Sequence, residues 1–167
     1  MSLVSICIPT RNRAEFLDYL LGEIAKFERL NYEVVISDNN SDEDTATVVM
    51  RWRTELKNVY YLRQTSMISG PENACAVCNA ARGDYIFRIS DDDLVVEEGL
   101  LAAQAILDES PNSIAVYPRW HICNATFDQI HTVVHYGSED PPLPHNTDPL
   151  EELTPNLPLR ATPDPAL

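Results

Sequence analysis

Short apolar runs alternate with amphipathic stretches over the first two thirds of the chain. Val4-Ser5-Ile6-Cys7-Ile8 is an apolar run closed by Pro9, the pattern of a buried strand that stops abruptly. From Ala14 to Phe27, the positions Phe16, Leu17, Leu20, Leu21, Ile24 and Phe27 recur at helical spacing and predict an amphipathic helix. Tyr32 to Ile36 is the next strand-like run. The polar turn Ser37-Asp38-Asn39-Asn40-Ser41-Asp42 follows it, and its end is placed to cap a helix carrying Val48, Val49, Trp52 and Leu56. Val59 to Leu62 predicts a third strand, Pro71 to Ala81 a third helix ended by Gly83, and Tyr85 to Ile89 a fourth strand. A helix over Glu97 to Ser110 and a strand over Ile114 to Tyr117 complete the series.

Strand and helix alternating in this way predict an α/β fold with a mostly parallel sheet flanked by helices, whose ligands sit at the carboxyl ends of the strands. The polar clusters fall at such ends: Pro9 to Arg13 after the first strand, Ser37 to Asp42 after the second, Ser90 to Asp93 after the fourth. Thr10, Asp38 and Asp92 are therefore expected on one cleft. From Trp120 the pattern changes to a hairpin, His121 to Phe127 and Ile130 to Tyr136 about a turn at Asp128-Gln129, and then to a tail. Eight of the twelve prolines lie between Pro141 and Pro165, a density that forbids a helix or a central strand. Residues 1–118 are read as the sheet domain and 119–167 as the hairpin and proline-rich tail.

With 167 residues, 44% of them apolar, the chain can bury one ordinary core. Its 12 basic and 26 acidic residues give 12 − 26 = −14, which opposes the phosphate contacts of nucleic-acid binding, so no nucleic-acid partner is expected. A phosphorylated ligand would need its charge met locally, by a metal, by backbone N–H groups or by the few arginines. No apolar run of about 18 residues exists to span a bilayer, and Met1 to Ser5 lacks the character of a signal peptide. The expectation is a cytoplasmic protein, free or held at the inner face of a membrane through a further region or partner. Cys7, Cys75, Cys78 and Cys123 are expected as free, mostly buried thiols.

Three successive carboxylates, Asp91-Asp92-Asp93, repel one another at the end of a buried strand. A magnesium or manganese ion would relieve that repulsion and bridge the site to a nucleotide diphosphate. The alternative is an acidic turn that only caps the following helix. Asp38 is placed either to accept a hydrogen bond from the N–H of uracil or a similar base, or to form an Asx turn. Arg11 and Arg13 either meet phosphate or are solvated. Gly70-Pro71-Glu72-Asn73 leads into a helix N-terminus, a natural anion site and also common turn punctuation. Cys75 and Cys78 have zinc-like spacing but sit in a helical apolar pattern, which favours core packing; the four histidines receive no role.

Taken together these segments resemble family 2 glycosyltransferases of the GT-A fold. The resemblance runs from Val4 to Tyr117 and rests on Val4 to Arg13, Ser37 to Asp42, Gly70 with Asn73, Ala81-Arg82-Gly83-Asp84-Tyr85-Ile86, and Ser90-Asp91-Asp92-Asp93. It implies metal-assisted transfer of a sugar from a nucleotide-diphosphate donor such as a UDP-sugar, with inversion, to a saccharide, lipid-linked or other acceptor. Pro9, Thr10, Arg11, Arg13, Asp38, Asn40, Gly70, Asn73, Asp91 and Asp92 would form the donor site, Asp38 reading the base. Asp92 and Asp93 would hold the metal. The family's D-x-D motif aligns either as Ser90 and Asp92 or as Asp91 and Asp93, and Asp92 is taken as the most important residue.

The resemblance also implies a catalytic Asp or Glu well downstream of the acidic motif. Here a proline-rich tail follows instead, and Glu139 and Asp140 lack the look of the family's catalytic segment, so no catalytic base is assigned. A non-catalytic nucleotide-sugar-binding domain is the second hypothesis. A phosphoacceptor receiver domain ranks last, because it needs an acidic pair after the first strand, where this chain has Pro9-Thr10-Arg11.

Overall fold

The computed structural model describes residues 2–42, 44–110, 112, 115–117, 120–123, 130–134 and 160–161. The chain divides into two compact units, Met1–Glu97 and Glu98–Leu167. The first contains β1 (Val4–Thr10), α1 (Ala14–Ile24), β2 (Tyr32–Asp38), α2 (Thr45–Trp52), β3 (Val59–Arg63), α3 (Gly70–Asn79) and β4 (Tyr85–Arg88). Its strands form one parallel sheet in the order β3-β2-β1-β4. Every residue of β2 is buried, including Glu33, as expected for a strand covered on both faces.

The first strand runs two residues further than its apolar pattern predicts. The Thr10 carbonyl accepts the Asn39 N–H at 2.9 Å and the Cys7 carbonyl accepts the Ile89 N–H at 3.0 Å. Even-numbered residues of β1 thus turn their hydrogen-bonding edge to β2 and odd-numbered ones to β4. Pro9 faces the β4 side, where pairing covers only Val4 to Cys7, so its missing N–H leaves no gap in the ladder.

On α1 the buried positions are Leu17, Leu20, Leu21 and Ile24, one stripe at helical spacing. Phe16, predicted in that stripe, is one residue off it and 53% exposed. Phe27 lies beyond the helix end and meets Tyr32 edge-on, ring centroids 5.9 Å apart. The helices α1 and α2 are joined through Asp18, which accepts the Trp52 indole N–H at 2.5 Å and pairs with Arg51. At the opposite end of the sheet from the polar turns, Glu33 accepts the Ser5 hydroxyl at 2.7 Å, the Arg82 N–H at 2.7 Å and the Arg82 guanidinium at 2.8 Å.

Gly83 does not end α3, which stops at Asn79 with Ala80 as its cap. A Cβ there would lie 2.6 Å from the Ser5 hydroxyl and 2.7 Å from the Leu3 carbonyl, so the glycine is required by its approach to β1. The cysteine expectation is also corrected. Cys7 is buried and Cys78 half-buried against Cys7, Val35 and Val77, but Cys75 is exposed because α3 turns Asn73 and Val77 inward instead.

In the second unit α4 (Glu97–Glu109) begins at the boundary, β5 (Val116–Tyr117) pairs antiparallel with β8 (Arg160–Ala161), and β6 (Trp120–Cys123) pairs antiparallel with β7 (Ile130–Val134). The expected hairpin is therefore present, shorter than predicted and with an irregularity between Ile122 and Cys123. The expectations about its turn, about Glu139 and Asp140 and about most of the proline-rich tail fall outside the described residues. Among the described residues no helix is long and apolar enough to cross a membrane.

Candidate functional site

The turn after β4 is tied to the turn after β1 by side chains. The Thr10 hydroxyl donates to Asp91 Oδ2 at 2.7 Å, and Arg13 Nη1 reaches Asp91 Oδ1 at 3.3 Å and also Asp92 Oδ2. Asp91 is only 5% exposed, and burial pushes its carboxyl above the usual range against the opposing pull of Thr10 and Arg13. Asp93 is pushed up as well, first by burial and then by Asp92 and Asp91. The carboxylates hold the Arg13 guanidinium more firmly protonated, Asp91 most of all.

A second set of bonds joins the β1 turn to the β2 turn. Asn12 and Asn40 both adopt left-handed backbone, φ 51° and 54°, a conformation that asparagine tolerates. Asn12 donates its N–H to the Ser41 hydroxyl at 3.0 Å, and its side-chain oxygen accepts the Asp42 N–H at 2.8 Å. Asp38 is fully enclosed. Its Oδ1 accepts the Ser41 N–H at 2.9 Å and hydroxyl at 2.6 Å, bonds that hold the turn, and its Oδ2 accepts the Tyr61 hydroxyl at 2.6 Å. Arg63 Nε lies 3.9 Å from the same oxygen.

The segment leading into α3 closes the third side. Asn39 exchanges two bonds of 2.8 Å with the backbone of Ile68, and Asn73 accepts the Ser37 hydroxyl at 2.6 Å while donating to the Ser37 carbonyl at 3.0 Å. Ser69 and Glu72 form a reciprocal capping box that fixes the first turn of α3. A Cβ added to Gly70 would meet no atom within 4 Å, so the backbone here fronts open space.

These turns surround a cavity of about 260 Å³ lined by Pro9, Thr10, Arg11, Arg13, Asn39, Gly70, Asn73, Ala74, Arg88 and Asp91. Seven of the residues expected at a donor site are in that lining. Asp38 and Asn40 are not: Asp38 is wholly buried in its bonds to Ser41 and Tyr61, and Asn40 supplies the left-handed backbone of the turn. Asp92 and Asp93 are exposed on the β4 turn beside it, outside the lining. Asn39, Ala74 and Arg88 were missed. Arg88 had a signal, a charged side chain inside an otherwise apolar strand, while Asn39 was overshadowed by its acidic neighbour.

The donors present suit a hard cation: carboxylate oxygens on exposed Asp92 and Asp93, next to a cavity with three arginines. Among the described residues no group of three or more His, Cys, Asp or Glu side chains could hold a metal.

A family model described as glycosyl transferase family 2 matches residues 5–160. The chain is 37% identical over 109 residues to the abequosyltransferase RfbV of Salmonella typhimurium, covering 64% of this chain and 33% of that protein. It is 29% identical over 117 residues to the poly(ribitol-phosphate) beta-N-acetylglucosaminyltransferase TarS of Staphylococcus aureus, covering 68% and 20%. The chain thus spans a fifth to a third of the length of these curated relatives. The crystal structure of S. aureus TarS in complex with UDP-GlcNAc superposes with a TM-score of 0.59 at 27% identity, over 66% of this chain and 32% of that one. The mannosyltransferase PcManGT of Pyrobaculum calidifontis, in complex with GDP-Man and Mn2+, shares the fold with a TM-score of 0.60 at 21% identity, over 74% and 36%.

Proposed function

The chain belongs to glycosyl transferase family 2 and its parallel sheet is that of a GT-A fold, and on that premise we propose that the cavity over β1, β2 and β4 holds the nucleotide diphosphate of a sugar donor. The observation that carries this reading is the gathering of Arg11, Arg13 and Arg88 around one cavity, beside Gly70 at the start of α3, in a chain of charge −14. Guanidinium groups pair with phosphate oxygens, and the glycine lets a ligand approach the backbone closely. Asp92 and Asp93 would hold a divalent cation, manganese or magnesium, which would supply positive charge beside the diphosphate. The whole protein transfers the sugar, with inversion, to a saccharide, lipid-linked or other acceptor hydroxyl. The UDP-GlcNAc complex of S. aureus TarS supports a uridine nucleotide.

In this reading Asp38 contacts the base N–H only when Tyr61 and Arg63 give way, because its carboxylate is enclosed by them and by Ser41. Calorimetric titration of UDP-sugar in manganese or in chelator, for the native chain and for Asp92→Ala, tests the metal role. Native affinity should fall at least about tenfold in chelator, the loss of a divalent charge beside a diphosphate; the variant should be weak in both. Equal affinity in all conditions removes the bridging role.

A second reading, donor binding without transfer, has one specific support. Among the described residues Asp91 is the only carboxylate in the cavity lining, and it is already bonded to Thr10 and Arg13. None of the described lining carboxylates is then free to take the acceptor's proton, a step to which a positioned base contributes about 10²–10⁴-fold. Sugar transfer by the purified chain at ordinary enzymatic rates would refute this reading.

A further inference from the structure

We infer that Arg13 is the resident counter-ion of Asp91 and Asp92 and competes with the divalent cation for Asp92, so that metal binds tightly only when a diphosphate draws the guanidinium away. This rests on the donor-site reading above. One nitrogen, Nη1, reaches both Asp91 Oδ1, at 3.3 Å, and Asp92 Oδ2. The Asp91 side chain is 6% exposed and the Asp92 side chain 42%, so Asp92 is the carboxylate open to an ion from solvent, and one of its oxygens is already taken.

The guanidinium cannot simply stay while a metal arrives, because a divalent ion on Asp92 would face a like charge at contact range. Nor is it buried in place: its side chain is 48% exposed and lines the same cavity as Arg11 and Arg88. A phosphate in that cavity offers the guanidinium a partner as good as the carboxylates it leaves. Metal and diphosphate then strengthen each other twice, by direct contact and by sharing the cost of moving Arg13, and the coupling is reciprocal.

The test is manganese binding to the full 167-residue chain, followed by the electron-spin signal of the free ion, with and without UDP. Arg13→Gln should bind manganese alone at least about tenfold more tightly than the native chain, with UDP adding correspondingly less. Arg13→Lys, which keeps the charge, should stay near native. Arg53→Gln removes an equal charge from an exposed position outside the cavity, and should shift manganese affinity by less than about threefold, the screened effect of a distant charge. If Arg13→Gln fails to fold, Arg13→Met carries the same expectation. Manganese affinity unchanged or weaker in the Arg13 variant overturns the competition, while the donor site stands if native UDP binding still depends on manganese. Loss of that dependence in the native chain overturns the donor-site reading and this inference with it.

Discussion

A carboxylate taken out of water stays ionised only if its neighbours replace the water, and Glu33 has three that do. Burial alone would raise its pKa, but the Ser5 hydroxyl, the Arg82 N–H and the Arg82 guanidinium outweigh that and bring it below the usual glutamate range. A folded pKa below the unfolded one contributes stability that is present above the ordinary glutamate value and is lost as pH falls through the lower, folded value. Glu33→Gln keeps the shape and removes the charge, and should cost about 1–3 kcal/mol near neutral pH. Urea melts at neutral and acid pH check this: the gap between native and variant should narrow in acid, and a gap independent of pH contradicts it. Tyr61 serves a second buried carboxylate, Asp38. Tyr61→Phe removes one hydrogen bond to Asp38 and should cost about 1 kcal/mol of stability. It also frees Asp38 Oδ2, so binding of UDP relative to GDP should strengthen in a side-by-side titration; a weakened preference would remove Asp38 from base recognition.

At the scale of elements, α3 carries the site on its first turn, where Asn73 bonds Ser37 of β2, and the chain after it passes β1 at Gly83. Ser69→Ala deletes the capping box at the end facing the cavity and should cost about 1 kcal/mol, with nucleotide affinity falling alongside stability. Gly83→Ala instead drives a methyl into the backbone of β1, at 2.7 Å from the Leu3 carbonyl. About 1–3 kcal/mol is expected, with nucleotide affinity per folded molecule unchanged, since Gly83 lies at the opposite end of the sheet. Thermal melts with paired titrations separate the two outcomes. The elements themselves were legible because apolar period and polar turn agree along the first 90 residues or so. The errors came from three-dimensional facts that no period carries: which edge of β1 Pro9 turns to a partner, which side of α3 Cys75 occupies, and which backbone Gly83 must pass.

For the molecule as a whole, the site was legible as three polar turns on one rim, because parallel strands place successive turns at one end of the sheet. Its lining was less so. Asp38 reads as a carboxylate placed for a base until Tyr61 and Arg63, from the neighbouring strand, are seen to close over it, and Arg88 reads as strand until the end of β4 is seen to border the cavity. On the proposed function these turns form one donor site. The most direct measurement is the set of backbone amide shifts of the labelled chain on addition of UDP with magnesium. Shifts concentrated at residues 9–13, 37–41, 68–74 and 88–93, and lost in Asp92→Ala, are predicted. Binding that leaves these turns unmoved, or shifts confined to the α1 and α2 face, would contradict it.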